Sequence, residues 1–240
     1  MSKRRPTIMA IGAHHDDNEI FAGTLNRHRE DGWDIVSVVL TDGRYIDGKA
    51  AQEHVPIREN ESRAAAKLLE MTCVFLHFAE GNLQPTDAAR LALVRTVREY
   101  APTIVITHPP RDYHIDHMST SSLAHAAVLI AASACVLPEV AACRRPKLFY
   151  TDAWFVPFEP DEYVDVSDLI ELKTAALACH KSQLPGEART ENDMIELAIQ
   201  QSRTRGIEAG VRYAEAFRRV PLLGSVRLSS RLERIVDLRS

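Results

Sequence analysis

The chain has 240 residues and a formal net charge of -4, a weakly acidic balance that argues against nucleic acid as its main partner. Hydrophobic residues make up 45% and charged residues 26%, the mix of an ordinary globular protein. No apolar run approaches the roughly 20 residues that span a bilayer.

The length suits one α/β domain over residues 1–240 with a full core. Met1 to Arg5 is basic, but the apolar stretch after it stops at His14, too short for a secretory signal with its cleavage site. The four cysteines, Cys73, Cys135, Cys143 and Cys179, form no Cys-x-x-Cys pair. They fit reduced thiols in a cytoplasmic protein better than a disulfide frame or a cysteine-zinc site.

Taken in order, Thr7 to Gly12 is a short apolar run that predicts a buried strand. It ends in Ala13-His14-His15-Asp16-Asp17-Asn18-Glu19, after which residues 20–31 read as a helix. A second strand is predicted over 34–40, ending at the turn signal Thr41-Asp42-Gly43. Helix 58–70 follows, with Ala64, Ala65, Leu68 and Leu69 at helical spacing. Strand 73–78 ends before Glu80-Gly81-Asn82. Helix 86–100 starts after Pro85, with Thr86 and Asp87 suited to an N-cap.

Strand 103–107 leads into His108-Pro109-Pro110-Arg111-Asp112-Tyr113-His114-Ile115-Asp116-His117 and a helix over 117–133. A fifth strand is predicted over 147–150, then an aromatic, proline-punctuated loop around Trp154 and Phe155. Helices are predicted over 168–181 and 190–209, and one further strand over 225–228. Strand and helix alternating at these spacings predict βαβ crossovers and a mostly parallel sheet.

Two polar loops therefore follow predicted strands, where open α/β sheets bind their ligands. Together they offer His14, Asp16, Asp17, His114, Asp116 and His117. Imidazole nitrogen and carboxylate oxygen are zinc ligands, and a catalytic zinc takes three protein ligands plus water. A carboxylate left over beside the metal suits a general base, and a protonated His suits an oxyanion partner. One His-x-Asp-Asp alone is more often surface polarity or a helix cap. Two such loops, each after a strand, favour metal chemistry, but spacing does not say which His binds it.

The two loops resemble those of the LmbE/PIG-L-like zinc-dependent deacetylases, whose motifs read His-Pro-Asp-Asp-x-Glu and His-x-Asp-His. Further likeness lies in Arg58 to Glu61, in Lys173 to Gln183 and in Tyr213 to Phe217. The resemblance implies a Rossmann-like α/β fold and removal of an acetyl group from an N-acetylglucosamine-type substrate. It implies zinc held by His14, Asp17 and His117, with Asp16 as general base. It implies that His114 stabilises the oxyanion and that Asp116 orients His114. Arg58 and Glu80 are implied to contact substrate, and assembly as a trimer or hexamer is typical of such relatives.

The chain departs from the family pattern at His15, where the motif has Pro, and at Thr24, where many relatives have the second Gly of a pair. His15 would be a competing ligand, and Thr24 would alter a backbone approach to the sugar. Other readings stay open: a different metallohydrolase, such as a sugar–thiol conjugate amidase, or a phosphoesterase using Asp42 and Asp112 for a second metal. A further reading is a non-catalytic sugar-binding module on the same fold. His77 and His180 are weaker candidates for the site. Trp154 and Phe155 are equally a loop over the sugar, part of the core or an oligomer contact.

Overall fold

The computed structural model describes residues 5–184 and 193–222. Seven strands form one sheet: β1 (Thr7–Gly12), β2 (Asp34–Thr41), β5 (Thr72–Phe78), β6 (Ile104–Thr107), β7 (Lys147–Thr151), β8 (Glu162–Asp165) and β9 (Ala214–Arg219). Their order is β5-β2-β1-β6-β7-β9-β8. The first five run parallel, while β9 pairs antiparallel with both β7 and β8. A short hairpin, β3 (Tyr45–Ile46) and β4 (Lys49–Ala50), stands apart from this sheet.

Six helices complete the described chain: α1 (Ala22–Glu30), α2 (His54–Leu69), α3 (Asp87–Tyr100), α4 (Ile115–Ile130), α5 (Ile170–Leu177) and α6 (Met194–Ala209). Every residue of β1 is buried because both faces of the strand are covered, as parallel sheets require. Met9 and Ile11 face Leu93, Val94 and Val97 of α3 and Leu123, Ala127 and Val128 of α4. Ile8 and Ala10 join Phe21, Leu25, Ile35, Ile106 and Phe217 in the opposite core. The five predicted parallel strands and six predicted helices are all present. The β3–β4 hairpin and strands β8 and β9 are additional. The strand predicted over 225–228 lies outside the described residues.

Several boundaries differ from expectation, among them α5, which ends at Leu177 rather than at residue 181, and α4, which spans Ile115–Ile130 rather than 117–133. Helix α2 starts at His54, with Pro56 inside its first turn, where a missing N–H costs nothing. The segment 18–21 forms a separate 3-10 turn before α1.

The strand order places the site. From β1 the chain builds outward through β2 to β5, then crosses back to add β6 and β7 on the other side of β1. The loops after β1 and β6 consequently leave the sheet in opposite directions and open a crevice at their carboxyl ends. Both sequence loops lie there.

Candidate metal centre and active site

Gly12 closes β1, and its lack of a side chain is required: a Cβ there would lie 2.8 Å from Asp17 Cβ and 3.0 Å from Asn18 Oδ1. Asp17 thus folds back onto the strand end, where its Oδ2 accepts the His14 backbone N–H at 2.6 Å. Asn18 ties the same turn to β2 by donating to Ser37 Oγ at 2.8 Å and to the Val38 carbonyl at 3.2 Å. Across the crevice, His114 caps α4, and His117 sits in that helix's first turn.

The three expected ligands converge. His14 Nδ1 lies 3.1 Å from His117 Nε2 and 3.5 Å from Asp17 Oδ2, and His117 Nε2 lies 3.4 Å from Asp17 Oδ1. Ligands about 2.0–2.1 Å from a tetrahedral zinc stand about 3.3 Å from one another, so the donors present fit such an ion. The far nitrogen of each ring is also held, as metal-binding histidines require. His117 Nδ1 meets Asp112 Oδ1 at 2.9 Å, and His14 Nε2 meets Asp116 Oδ2 at 3.3 Å. These bonds leave His14 Nδ1 and His117 Nε2 facing Asp17.

Electrostatics follow the same geometry. Burial opposes charge on Asp17, but the imidazoles of His117, His108 and His14 hold its carboxyl well below the usual range. Burial alone would lower both histidines. Neighbouring Asp17 reverses this, raising His14 to about 10 and His117 to about 9.

Asp16 opens onto the same cavity, where Arg58 donates to its Oδ1 from Nη2 at 3.1 Å. Burial would raise the Asp16 carboxyl, but the guanidinium holds it below its ordinary value. Arg58 is only 1% exposed despite lining the cavity, and its Nη1 also donates to the Tyr45 carbonyl. Glu80 stands 3.9 Å from both His14 Nε2 and Arg58 Nη1, and burial raises its carboxyl.

Two expectations about His114 change. Its Nδ1 accepts the Asp116 backbone N–H at 3.1 Å, so the proton of a neutral ring sits on Nε2. Burial and the neighbouring His14 and His117 lower its pKa. His114 is therefore a neutral N–H donor rather than a cation. The Asp116 carboxylate was expected to orient His114. It instead accepts from Gly81 N at 2.6 Å and Leu83 N at 3.0 Å and meets His14. It ties the loop after β5 to the start of α4 and to His14.

The departures from the family pattern also resolve. His15 is 1% exposed and stacks on Phe75 with ring centroids 5.4 Å apart. Burial, reinforced by Arg58, pushes its pKa down to about 3. It is a neutral ring packed away from the cavity. Gly23 and Thr24 donate their backbone N–H groups to Glu215 at 3.2 and 2.7 Å, and Glu215 pairs with buried Lys173 at 3.2 Å. That backbone meets Glu215 of β9 and Val166, and neither Gly23 nor Thr24 lines the cavity.

Asp42 is engaged by Arg44 and accepts the Glu80 N–H, while Asp112 lines the cavity and its Oδ1 meets His117 Nδ1 and accepts the His114 N–H. His180 is fully buried 3.3 Å from Glu19, and His77 lies on the surface 3.6 Å from Glu59. Gln183 and Trp154 do line the cavity.

Sequence reasoning missed the roles of His108 and Asp112. His108 Nε2 lies 3.0 Å from Asp17 Oδ2, and its ring stacks on His117 at 3.9 Å. Two groups among the described residues bring three possible metal donors together: His14 with His114 and His117, and Asp17 with His108 and His117. The available signal was position, since His108 directly follows β6 as His14 nearly follows β1.

The family model for PIG-L, the GlcNAc-PI de-N-acetylase, matches residues 9–128, which span both loops. Diacetylchitobiose deacetylase of Thermococcus kodakarensis is 30% identical over 231 residues, covering 89% of this chain and 83% of that protein. The chain belongs to the PIG-L family. The structure of N,N'-diacetylchitobiose deacetylase from Pyrococcus horikoshii shares the PIG-L fold with it, with a TM-score of 0.81 and 24% identity over 96% of this chain and 89% of that one. The 4-oxalmesaconate hydratase of Pseudomonas putida is 23% identical, covering 92% of this chain and 91% of the hydratase. No helix among the described residues is long and apolar enough to cross a membrane.

Proposed function

We propose that this PIG-L family member is a zinc-dependent deacetylase acting on an N-acetylglucosamine-type substrate. One observation carries the reading: His14 Nδ1, Asp17 and His117 Nε2 approach one another within 3.1–3.5 Å at the floor of a cavity that Asp16 and His114 also line. A zinc ion held by those three residues would supply Lewis acidity and a water whose pKa falls toward about 7.

The remaining steps belong to side chains. Asp16, kept ionised by Arg58, accepts the proton of the attacking water and later passes it to the departing amine nitrogen. His114 donates from Nε2 to the developing oxyanion, a contact that strengthens as charge forms. Glu80 and Arg58, on the cavity wall, accept from and donate to sugar hydroxyls.

The test is amine release from a panel of N-acetylglucosamine conjugates, with zinc-loaded and chelator-treated protein side by side. Asp16→Asn should keep its zinc and lose about 10²–10⁴-fold in turnover, the usual contribution of general base catalysis. A fully active Asp16→Asn protein would remove Asp16 from the mechanism. The hydratase relative supports a second reading, water addition to an unsaturated carboxylate by the same base and donor. Zinc-dependent loss of a conjugated diene's absorbance, without amine release from any conjugate, would favour it.

A further inference from the structure

We infer that a second cavity, lined by Arg111 and Arg218, binds a small organic oxyanion, a phosphate or carboxylate joined to an apolar group. The inference does not depend on the deacetylase reading. The cavity measures about 360 Å³, within the roughly 300–1,000 Å³ of ligand pockets. It shares no lining residue with the metal-centre cavity. Two loops nevertheless contribute to both. The loop after β6 gives Asp112 and Tyr113 to the metal-centre cavity and Pro109, Pro110 and Arg111 to the second. The loop after β7 gives Asp152 and Trp154 to the first, and Pro157, Phe158 and Glu159 to the second.

The charge pattern points to a ligand. Arg111 and Arg218 are exposed, and neither forms an ion pair or hydrogen bond with another described residue. Other surface arginines behave differently: Arg27, Arg29, Arg63, Arg90 and Arg95 each pair with a carboxylate. With 33 acidic residues against 29 lysines and arginines, a shortage of acids does not explain the contrast. Glu159 is the single carboxylate of the lining, and it pairs with neither arginine. Two guanidinium forks over one carboxylate leave a net positive wall, and such forks match phosphate and carboxylate oxygens in pairs.

The remaining lining is apolar and held in place. Tyr150 stands opposite Arg218 on the neighbouring strand, hence on the same face of the sheet, and its hydroxyl lies 3.3 Å from His125 Nδ1. The Phe158 carbonyl accepts from Arg205 Nη2 at 3.4 Å. Asp161, three residues on, is bonded to β9 through the Phe217 carbonyl at 3.0 Å and the Arg219 N–H at 2.8 Å. The three prolines fix their own φ angles. A lining preorganised in this way loses little freedom on binding. Its rings and prolines suit an apolar group beside the anionic head.

Calorimetric titration of the full chain with phenyl phosphate and with benzoate tests this, with uncharged phenol beside them. At least one of the two anions should bind saturably, with phenol far weaker, and the better anion names the head group. Arg218→Gln and Arg111→Gln, one on a strand and one on a loop, should each weaken that binding about 10–100-fold, the loss of a charge-assisted contact. Both variants should melt at the wild-type temperature. His117→Ala, which alters only the other cavity, should bind the anion as the wild type does. No saturable binding of either anion overturns the inference. So does binding indifferent to both arginines, and so does phenol binding as tightly as the anions. Binding lost in His117→Ala but kept in Arg218→Gln places the anion at the metal centre and also overturns it.

Discussion

Zinc should displace one proton from this site, and the geometry says why. His14 Nε2 is committed to Asp116 at 3.3 Å and His117 Nδ1 to Asp112 at 2.9 Å. The nitrogens left for a metal, His14 Nδ1 and His117 Nε2, face each other at 3.1 Å. Two N–H groups cannot point at one another across that distance, so the pair shares one proton. Burial works against it, but Asp17 overcomes burial and lifts His14 to about 10 and His117 to about 9. The shared proton therefore stays bound at neutral pH, and a metal needing both lone pairs must expel it. One proton released per ion makes the apparent affinity rise about tenfold, roughly 1.4 kcal/mol, per pH unit between about pH 6 and 8. Titration calorimetry of chelator-treated protein, in buffers of different ionisation enthalpy, counts that proton directly. An affinity indifferent to pH would refute this account. The same raised pKa values stabilise the metal-free fold. The contribution of that shared proton is whole below the ordinary histidine value of 6.5 and is lost as pH climbs through the pair's raised range of about 9 to 10. The melting temperature of the metal-free protein should fall over that alkaline window.

Asp112→Asn keeps an acceptor for His117 Nδ1 but removes its charge, and zinc should bind about 10–100-fold more weakly in a chelator competition; unchanged affinity would mean that Asp112 does not tune the ligand. Arg58→Leu strips the cation from Asp16, whose side chain is 17% exposed. Stability should drop by roughly 1–3 kcal/mol, less than for a sealed pair. The acid limb of the kcat/KM profile should also move to higher pH, because the carboxyl is no longer held down; an unmoved limb would separate Asp16 from that limb. Gly23→Ala would place a Cβ 2.5 Å from Val166 Cγ1 and 2.8 Å from Val166 Cβ, and the urea midpoint should fall by the equivalent of about 1–3 kcal/mol for overpacking.

What could be read from the sequence, and what could not, divides along the reach of each interaction. The five parallel strands were legible because both faces of such strands are buried, which writes them as apolar runs, β1 above all. Strand β9 was not, because its sequence carries Glu215 inward to serve the backbone N–H groups of α1 and the amine of Lys173. A buried charge breaks the pattern that announces a strand, and its partners lie in other parts of the chain. The same division runs through the site. The donors His14, Asp17 and His117 were visible as types in two loops. The groups that aim them were not: Asp116 looked like a partner for His114, two positions away, yet its oxygens meet Gly81, Leu83 and His14. At the second position of α4, its side chain turns back over the helix start, where the neighbouring loop after β5 presents two free N–H groups. His108 reaches Asp17 only because β6 lies beside β1 in the sheet. Strand order brings 14, 17, 108 and 117 to one point, and it cannot be deduced from the spacing of residues along a single chain. The topological crossover between β1 and β6 is therefore the step that turns two polar loops into one centre.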